Sequence, residues 1–485
     1  MNKSATASEI STLLNEAKQF YLVGIKGVGM TSLAQCLTDM GKKVTGADVA
    51  DEFVTQSILD SMQLGIEVGF TQQLPEDTQV VIYSGAHSGK ANPLVKQAQA
   101  RNLPVFSHAE VLGWMFNQKQ GLAVCGVGGK STISAMLAWT LLKLKQKPSF
   151  SVGVGKITEL TRTGAFQAKS KYFVAEADEY ADNPSEAIQG EKLVPRLSFL
   201  QPYLIICSNL QFDHPDVYQD FTHTKQVFME FFHNLKPNGF FICNFDDKQL
   251  FSLAKRFIKH RKDVSLLGFG HTAKAQYQLT HSLGQTDLSQ ASLKFENQTY
   301  PLKLLIPGEH NLMNAAAVVT ALHALGFDME QIINELAKFP GVGRRLQLVK
   351  QTAEHIFYDD YAHHPTEIVR SLQALKQHHP NLPLVVVFQP HTTSRTKSLL
   401  DSFAESFAAA DQVILLPIFT SAREKMDASF STRNLIEKIK QHHPAFSVTL
   451  EPDIAAAATQ IKKLSSSSVV VTLGAGDVYL LHNLV

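Results

Sequence analysis

The feature that most constrains this chain is the run Gly126-Val127-Gly128-Gly129-Lys130-Ser131-Thr132, placed directly after the apolar segment Leu122-Ala123-Val124-Cys125. A strand that stops at glycines and restarts as a helix turns backbone N–H groups and the helix N-terminus toward one point, where an anion binds. Lys130 adds a point charge there, and the Ser131 hydroxyl can ligate Mg²⁺. The eight-residue phosphate loop would place glycine at position 124, which is Val124, so the run has the shortened form G-x-x-G-K-[ST]. That separates it from generic Walker NTPases. The alternative, a glycine turn that only packs a helix on a strand, is disfavoured by the lysine at the required place. Gly126, Gly128, Gly129, Lys130, Ser131 and Thr132 are the expected nucleotide contacts. A loop of this kind belongs to an α/β sheet, which presents ligands at the carboxyl ends of its strands.

The rest of the chain agrees with that class. Short β-branched runs stop at Gly, Asn or Asp and alternate with amphipathic segments of helix length, such as Ser32–Met40 and Pro365–Gln377. This alternation predicts α/β layering with parallel sheets. A length of 485 residues suggests about three domains. Strand-to-glycine starts occur at Phe20-Tyr21-Leu22-Val23 and again at Leu122, after the polar stretch Asn117–Gln120. Pro and Gly interrupt a helical segment at Phe339–Gly343. The expected domains are therefore 1–118, 119–340 and 341–485. Within the second, alternating runs across Asp263–Leu304 predict a small antiparallel insertion without chemistry.

With 44% apolar and 18% charged residues the chain can bury large cores. A net charge of +1, and basic clusters no longer than Lys438-Ile439-Lys440 and Lys462-Lys463, give no nucleic-acid surface. The polar start and the lack of any apolar run long enough for a bilayer predict a cytoplasmic protein with no membrane span. Cys36, Cys125, Cys207 and Cys243 are far apart, without metal spacing, and read as buried reduced thiols.

A phosphate loop needs a metal partner, and the next two predicted strands end in candidates. Tyr172–Ala175 runs into Glu176-Ala177-Asp178-Glu179, and Tyr203–Cys207 into Ser208-Asn209-Leu210-Gln211-Phe212-Asp213-His214. Carboxylate oxygen suits Mg²⁺, and imidazole suits it less. On spacing alone His214 is equally a surface histidine. Near the N-terminus, Gly24-Ile25-Lys26-Gly27-Val28-Gly29-Met30 follows a strand and Asp48 stands close to the ~20-residue distance of a ribose-binding acid. Those residues fit a nicotinamide dinucleotide as well as a UDP-sugar, so an oxidoreductase stays open on this fragment taken alone.

In this order and spacing the motifs resemble the Mur ligase family over nearly the whole chain. The residues that carry the resemblance are the two glycine loops, Gly46-Ala47-Asp48, Glu176–Glu179, Asn209 with Asp213-His214-Pro215-Asp216, and Gly308-Glu309-His310-Asn311 with Asn314. Farther on they are Gly343-Arg344-Arg345, Asp359–Glu367, Phe388-Gln389-Pro390-His391 and Gly474-Ala475-Gly476-Asp477. The resemblance implies a Rossmann-like UDP-binding first domain, a P-loop ATPase-like centre and a Rossmann-like third domain. It also implies ATP and Mg²⁺ as cofactors, with UDP-N-acetylmuramate and L-alanine joined through an acyl phosphate in peptidoglycan precursor synthesis, by a monomer or homodimer.

By the same resemblance, Ser131, Glu176 and His214 serve the metal and Asn311 and Asn314 the adenine region. Arg345 and Asp360 reach ATP from the third domain, on its phosphate and ribose sides. Gly27, Gly29, Met30, Asp48, Ser84 and Gly85 bind the UDP-sugar. His363, His364, His391, Arg395 and Arg423 surround the incoming amino acid and acyl phosphate, and Lys130, Glu176, His214, His363 and Arg395 are the expected catalytic groups. Metal binding, base catalysis and capping of a helix that starts at Pro365 are the other readings of His363-His364.

Three departures from the family pattern stand out: Val127-Gly128 inside the phosphate loop, Lys26 in the first loop and Gly69-Phe70 near the UDP site. Gly128 predicts a more flexible loop and weaker ATP binding. Lys26 predicts an added charge at the diphosphate. Glu179-Tyr180 and Asn209–His214 resemble the family member that takes a recycled murein tripeptide, whereas Gln389-Pro390-His391 and Leu473–Val478 favour alanine. A catalytically silent UDP-sugar-binding relative is the third alternative.

Overall fold

A computed structural model describes residues 7–281, 289–419, 429–442 and 446–485. They form two compact units, one of Met1–Asp213, Val217–Gln278 and Ala317–Glu335, the other of His214–Asp216, Leu279–Ala316 and Leu336–Val485.

The first unit holds two sheets. In the first, β1 (Gln19–Val23), β2 (Lys43–Asp48), β3 (Gly65–Val68), β4 (Val80–Tyr83) and β5 (Val105–Ser107) are all parallel, in the order β3-β2-β1-β4-β5. The order reverses between β1 and β4, the switch point where open sheets take ligands. The second sheet is built from β6 (Gln120–Cys125), β7 (Ser149–Ser151), β8 (Gly164–Ala165), β9 (Tyr172–Glu176), β10 (Leu204–Cys207), β11 (Phe240–Asn244), β12 (Ser265–Gly270) and β13 (Tyr277–His281), the last of which runs past the unit's boundary at Gln278. Their order is β13-β12-β11-β10-β6-β9-β7-β8. Strands such as Leu204-Ile205-Ile206-Cys207 are buried along their whole length, because helices cover both faces of a parallel sheet.

One apolar core runs beneath both sheets. Phe116, on the helix His108–Asn117, packs edge-on against Phe173 of β9 with ring centroids 5.9 Å apart. Gly121 makes this fit possible, since a Cβ there would lie 2.1 Å from the Phe116 ring. Ser107 and Glu110 cap the same helix reciprocally, a capping box that fixes where β5 ends. All four cysteines are free and buried.

The second unit contains the antiparallel pair β14 (Ser289–Phe295) and β15 (Gln298–Leu304). Its sheet comprises β16 (Gln347–Gln351), β17 (His355–Asp360), β18 (Leu384–Phe388), β19 (Gln412–Leu415), β20 (Ser447–Leu450) and β21 (Ser468–Leu473), ordered β16-β17-β21-β18-β19-β20. Only β16 runs antiparallel, at the edge beside β17. Along β18 the side chains alternate between two cores, Val386 and Phe388 on one face and Val385 and Val387 on the other. Within the antiparallel insertion expected at Asp263–Leu304, β14 and β15 pair antiparallel, whereas β12 and β13 pair parallel. No helix among the described residues is long and apolar enough to cross a membrane.

Candidate functional site

The phosphate loop joins β6 to the helix Lys130–Lys143. Gly126 and Gly129 take φ of +116° and +86°, the region open to glycine. A Cβ on Gly126 would fall 2.4 Å from the Ser208 hydroxyl oxygen. No side chain caps the helix at Gly129, which leaves its first N–H groups for an anion. Gly128 brings less freedom than its missing side chain suggests. Asn209 Oδ1 accepts from the N–H groups of Val127 and Gly128 at 3.0 and 3.3 Å, while Asn209 Nδ2 and the Ser208 hydroxyl donate to Gly128 O. The end of β10 thus staples the loop. Asn209→Ala removes three of these bonds, each worth about 0.5–1.5 kcal/mol, and is expected to raise the KM for ATP roughly tenfold or more. An unchanged KM would mean that the staple does not order the loop.

Two side chains leave the start of the helix toward the end of β9. Ser131 Oγ donates to Glu176 Oε2 at 3.0 Å, and the other oxygen of Glu176 accepts from Gly153 N at 2.6 Å. These hard oxygen donors suit Mg²⁺, which completes its shell with waters and substrate phosphates. Among the described residues no group of three or more His, Cys, Asp or Glu side chains forms a ready-made metal site. The Lys130 ammonium lies 2.6 Å from Glu179 Oε2 and 3.8 Å from Asp178 Oδ1. Burial opposes its charge, but Glu179 and Asp178 more than offset that and hold its pKa above the ordinary lysine value. Thr132 is buried. His214 adopts a left-handed φ of +58°.

At the switch point of the first sheet, Gly27 begins the helix Val28–Asp39 with no side-chain cap, a second helix terminus suited to an anion. Met30, in the first turn of that helix, is buried. A Cβ on Gly29 would lie 3.0 Å from His108 Nε2, and one on Gly24 3.1 Å from Ser84 Cβ. Gly85 is equally constrained, with Asp182 O 2.6 Å from its Cβ position. Asp48, only 1% exposed, accepts from the N–H groups of Lys26 and Val49 at 2.7 and 2.8 Å and lies 3.3 Å from His87 Nε2. Lys26 does not extend toward this turn: its ammonium donates to Val49 O and Asp51 O, both at 2.8 Å. The expected extra charge at the diphosphate is instead a brace for the loop after β2. Phe70 packs on His87 at 5.0 Å, so that departure supports the ring that touches Asp48.

In the second unit, the ring of His363 meets Tyr361 at 5.3 Å and His391 at 6.2 Å, and His391 stacks on Phe419 at 5.8 Å. His364 caps the helix Pro365–His378 by accepting from Thr366 N at 3.3 Å. Capping, one of the readings open for the pair, describes His364 but not His363. Arg345 lies 4.0 Å from Glu367 and over the Tyr361 ring. Arg395 is buried on the short helix Thr393–Ser398. Asn311 Nδ2 donates to Pro307 O at 2.6 Å and Asn311 Oδ1 accepts from Asn314 at 3.3 Å, so the two amides share one helix face. Arg423 lies outside the described residues.

Asp360 is buried, accepting from Ser371 Oγ at 2.6 Å and Ala362 N at 3.0 Å. Burial raises its pKa to about 6, against the opposing pull of Arg345 and Ser371. A carboxyl with a raised folded-state pKa binds its proton more tightly when folded. Its stabilising contribution is full below the unfolded value of about 3.9 and is lost as pH rises to about 6. Asp360→Asn is expected to remove this decline, read as a flatter dependence of the urea midpoint between those pH values. An unaltered slope would refute the assignment.

Sequence reasoning missed Glu179 as the partner of Lys130, the Ser208-Asn209 staple, and His87, His108 and Phe419. Only the first two stood beside motifs that were in view.

Together the fold and these groups define a phosphate-loop α/β protein with a second helix-terminus anion site. Three family descriptions match it in series: "Mur ligase family, catalytic domain" over residues 19–120, "Mur ligase middle domain" over 124–322 and "Mur ligase, glutamate ligase domain" over 344–476. The UDP-N-acetylmuramate–L-alanine ligase of Acetivibrio thermocellus is 32% identical over 478 residues, covering 96% of this chain and 95% of the relative. That of Desulfitobacterium hafniense is 32% identical over 465 residues, covering 95% and 97%. Among solved structures, the UDP-N-acetylmuramate–alanine ligase of Thermotoga maritima aligns with a TM-score of 0.77 at 24% identity, over 96% of this chain and 98% of that one. A murein peptide ligase from Psychrobacter arcticus aligns at 0.69 and 20% identity, over 96% and 98%. These two likenesses speak to fold. The chain belongs to the Mur ligase family.

Proposed function

We propose that this chain is an ATP-dependent ligase that joins L-alanine to the carboxylate of UDP-N-acetylmuramate, a cytoplasmic step of peptidoglycan precursor synthesis, acting as a monomer or homodimer. The observation that carries this reading is end-to-end similarity to ligases named for that reaction, together with an intact Lys130 and Ser131–Glu176 arrangement. We divide the chain into UDP-sugar (1–118), ATP (119–340) and amino-acid (341–485) domains. The three sheets and the three family matches support that division. Family membership sets aside the nicotinamide reading of the first glycine turn.

A carboxylate resists an amine because its charge repels nucleophiles and it lacks a leaving group. Transfer of the γ-phosphoryl group of ATP makes an acyl phosphate; the amine attacks its carbonyl carbon and phosphate departs. Phosphoryl transfer is chiefly positioning and charge neutralisation. Lys130 supplies the cation, the stapled loop supplies N–H donors, and the Gly27–Gly29 terminus with Ser84-Gly85 and Asp48 shapes the diphosphate turn. Ser131 and Glu176, with His214, would hold Mg²⁺, which supplies further neutralisation at the phosphates. Asn311 and Asn314 serve the adenine, and Arg345 and Asp360 the ATP phosphate and ribose. His363, His364, His391, Arg395 and Arg423 serve the acceptor and the acyl phosphate.

Phosphate release should require UDP-N-acetylmuramate, Mg²⁺ and L-alanine together. Faster turnover with L-alanyl-γ-D-glutamyl-diaminopimelate than with L-alanine would reassign the acceptor to the recycled tripeptide.

A further inference from the structure

Arg196 lies where the two anion sites of the first unit approach each other, and the mechanism above gives it no part. Its Nη1 donates to Asp178 Oδ2 at 2.9 Å, and Asp178 Oδ1 is 3.8 Å from the Lys130 ammonium. On the other side, Nη2 stands 3.3 Å from the Cβ position of Gly85. Gly85 follows Ser84, which abuts the turn at Gly24. The guanidinium also lies over the Tyr180 ring at 5.6 Å, and Arg196 N donates to Tyr180 O at 3.0 Å, so the side chain is anchored. Its charge reaches the helix terminus at Gly29, because burial and then Arg196 push the His108 pKa down to about 4.

The Arg196 side chain is only 23% exposed. Among the described residues Asp178 is the one acceptor its guanidinium bonds. A guanidinium has five donors in a fork shaped for an oxyanion, and leaving them idle while largely desolvated is unfavourable. A substrate with its diphosphate at Gly27–Gly29 and its carboxylate at Lys130 passes this group.

We infer that Arg196 is a further substrate-binding residue, which takes an oxyanion of the UDP-sugar in exchange for Asp178. The inference rests on the proposed function, and the oxyanion is either the diphosphate or the sugar-linked carboxylate. Exchange also removes the guanidinium from Asp178, whose Oδ1 stays 3.8 Å from the Lys130 ammonium and accepts from Tyr180 N at 3.4 Å, so occupancy of the sugar-nucleotide site alters the charge around the phosphate-loop lysine.

The test is calorimetric titration of the full-length protein with UDP-N-acetylmuramate and with UDP-N-acetylglucosamine, which lacks the carboxylate, beside steady-state KM values for ATP. Arg196→Gln is expected to weaken UDP-N-acetylmuramate binding roughly ten- to a hundredfold, the size of a charge-assisted hydrogen bond, with the KM for ATP changed less than about twofold. Arg196→Lys should recover part of the loss, since it keeps the charge but not the fork. Weakening of both sugars places the oxyanion at the diphosphate, and weakening of the first alone places it at the carboxylate. Asp178→Asn, which leaves the guanidinium only a neutral acceptor, should bind UDP-N-acetylmuramate at least as tightly as wild type. A loss equal to that of Arg196→Gln would reduce the pair to scaffolding and overturn the inference. Unchanged binding in Arg196→Gln would overturn it while leaving the ligase reading intact. A wild type that binds neither sugar would remove both.

Discussion

Lys130→Ala is expected to lower ATP-dependent phosphate release by roughly 10²-fold or more, the scale of removing one preorganised charge-stabilising donor. It should also destabilise the first unit. The ammonium is 16% exposed and its partner Glu179 only 2%, 2.6 Å apart. Removing one member of a buried pair typically costs about 3–5 kcal/mol, because the other charge stays desolvated. The two effects are separable. In Lys130→Ala/Glu179→Gln the stranded carboxylate becomes a neutral amide, so most of the thermal stability should return while turnover does not. A double variant that regains turnover would show that Lys130 matters only as the counter-ion of Glu179. Wild type and Lys130→Ala that are equally inactive yet still bind UDP-N-acetylmuramate would instead identify a silent relative.

What could be read in advance divides along a physical line. The phosphate loop, its lysine and its serine are contiguous, and a strand-to-helix turn leaves such residues little choice of direction. Glu179 stood in view beside Glu176, but β9 ends at Glu176, and beyond it strand alternation no longer says which carboxylate turns toward Lys130. The Asn209 staple joins residues 82 apart in sequence, which only the sheet order β10-β6-β9 brings together. Lys26 was legible as a charge but not as a direction: its long stem reaches the carbonyls after β2, which satisfy the ammonium without any ligand. The three α/β sheets followed from the alternation of apolar runs and helices. The common core of the first two sheets did not, since Phe116 and Phe173 meet through helix packing that no local period reports.

The other large effect is expected at Arg344, the neighbour of a residue assigned to ATP. Its guanidinium makes a buried ion pair with Asp359 at 3.1 Å, with side chains 12% and 4% exposed. It also donates to Gly476 O and Gly474 O at 3.0 and 2.6 Å and lies over the rings of Tyr361 and Tyr479. Asp359 in turn accepts from Thr472 Oγ1 at 2.7 Å, and Thr472 meets His482 Nε2 at 2.7 Å. Arg344 therefore ties the entry to β16 to the turn after β21 and, through Asp359 and Thr472, to the last helical turn. Arg344→Ala should cost about 3–5 kcal/mol, a fall in Tm of roughly ten degrees for a unit of this size. Arg344→Lys should rescue little, because an ammonium cannot serve a carboxylate and two carbonyls in one plane. Arg345→Ala supplies the contrast: its ion pair is longer, at 4.0 Å, and its side chain 27% exposed, so stability should change by less than about 1 kcal/mol while the KM for ATP rises. Equal melting losses in the two alanine variants would mean that the clamp is shared between both arginines, and that the assignment of Arg345 to ATP has lost its distinguishing evidence.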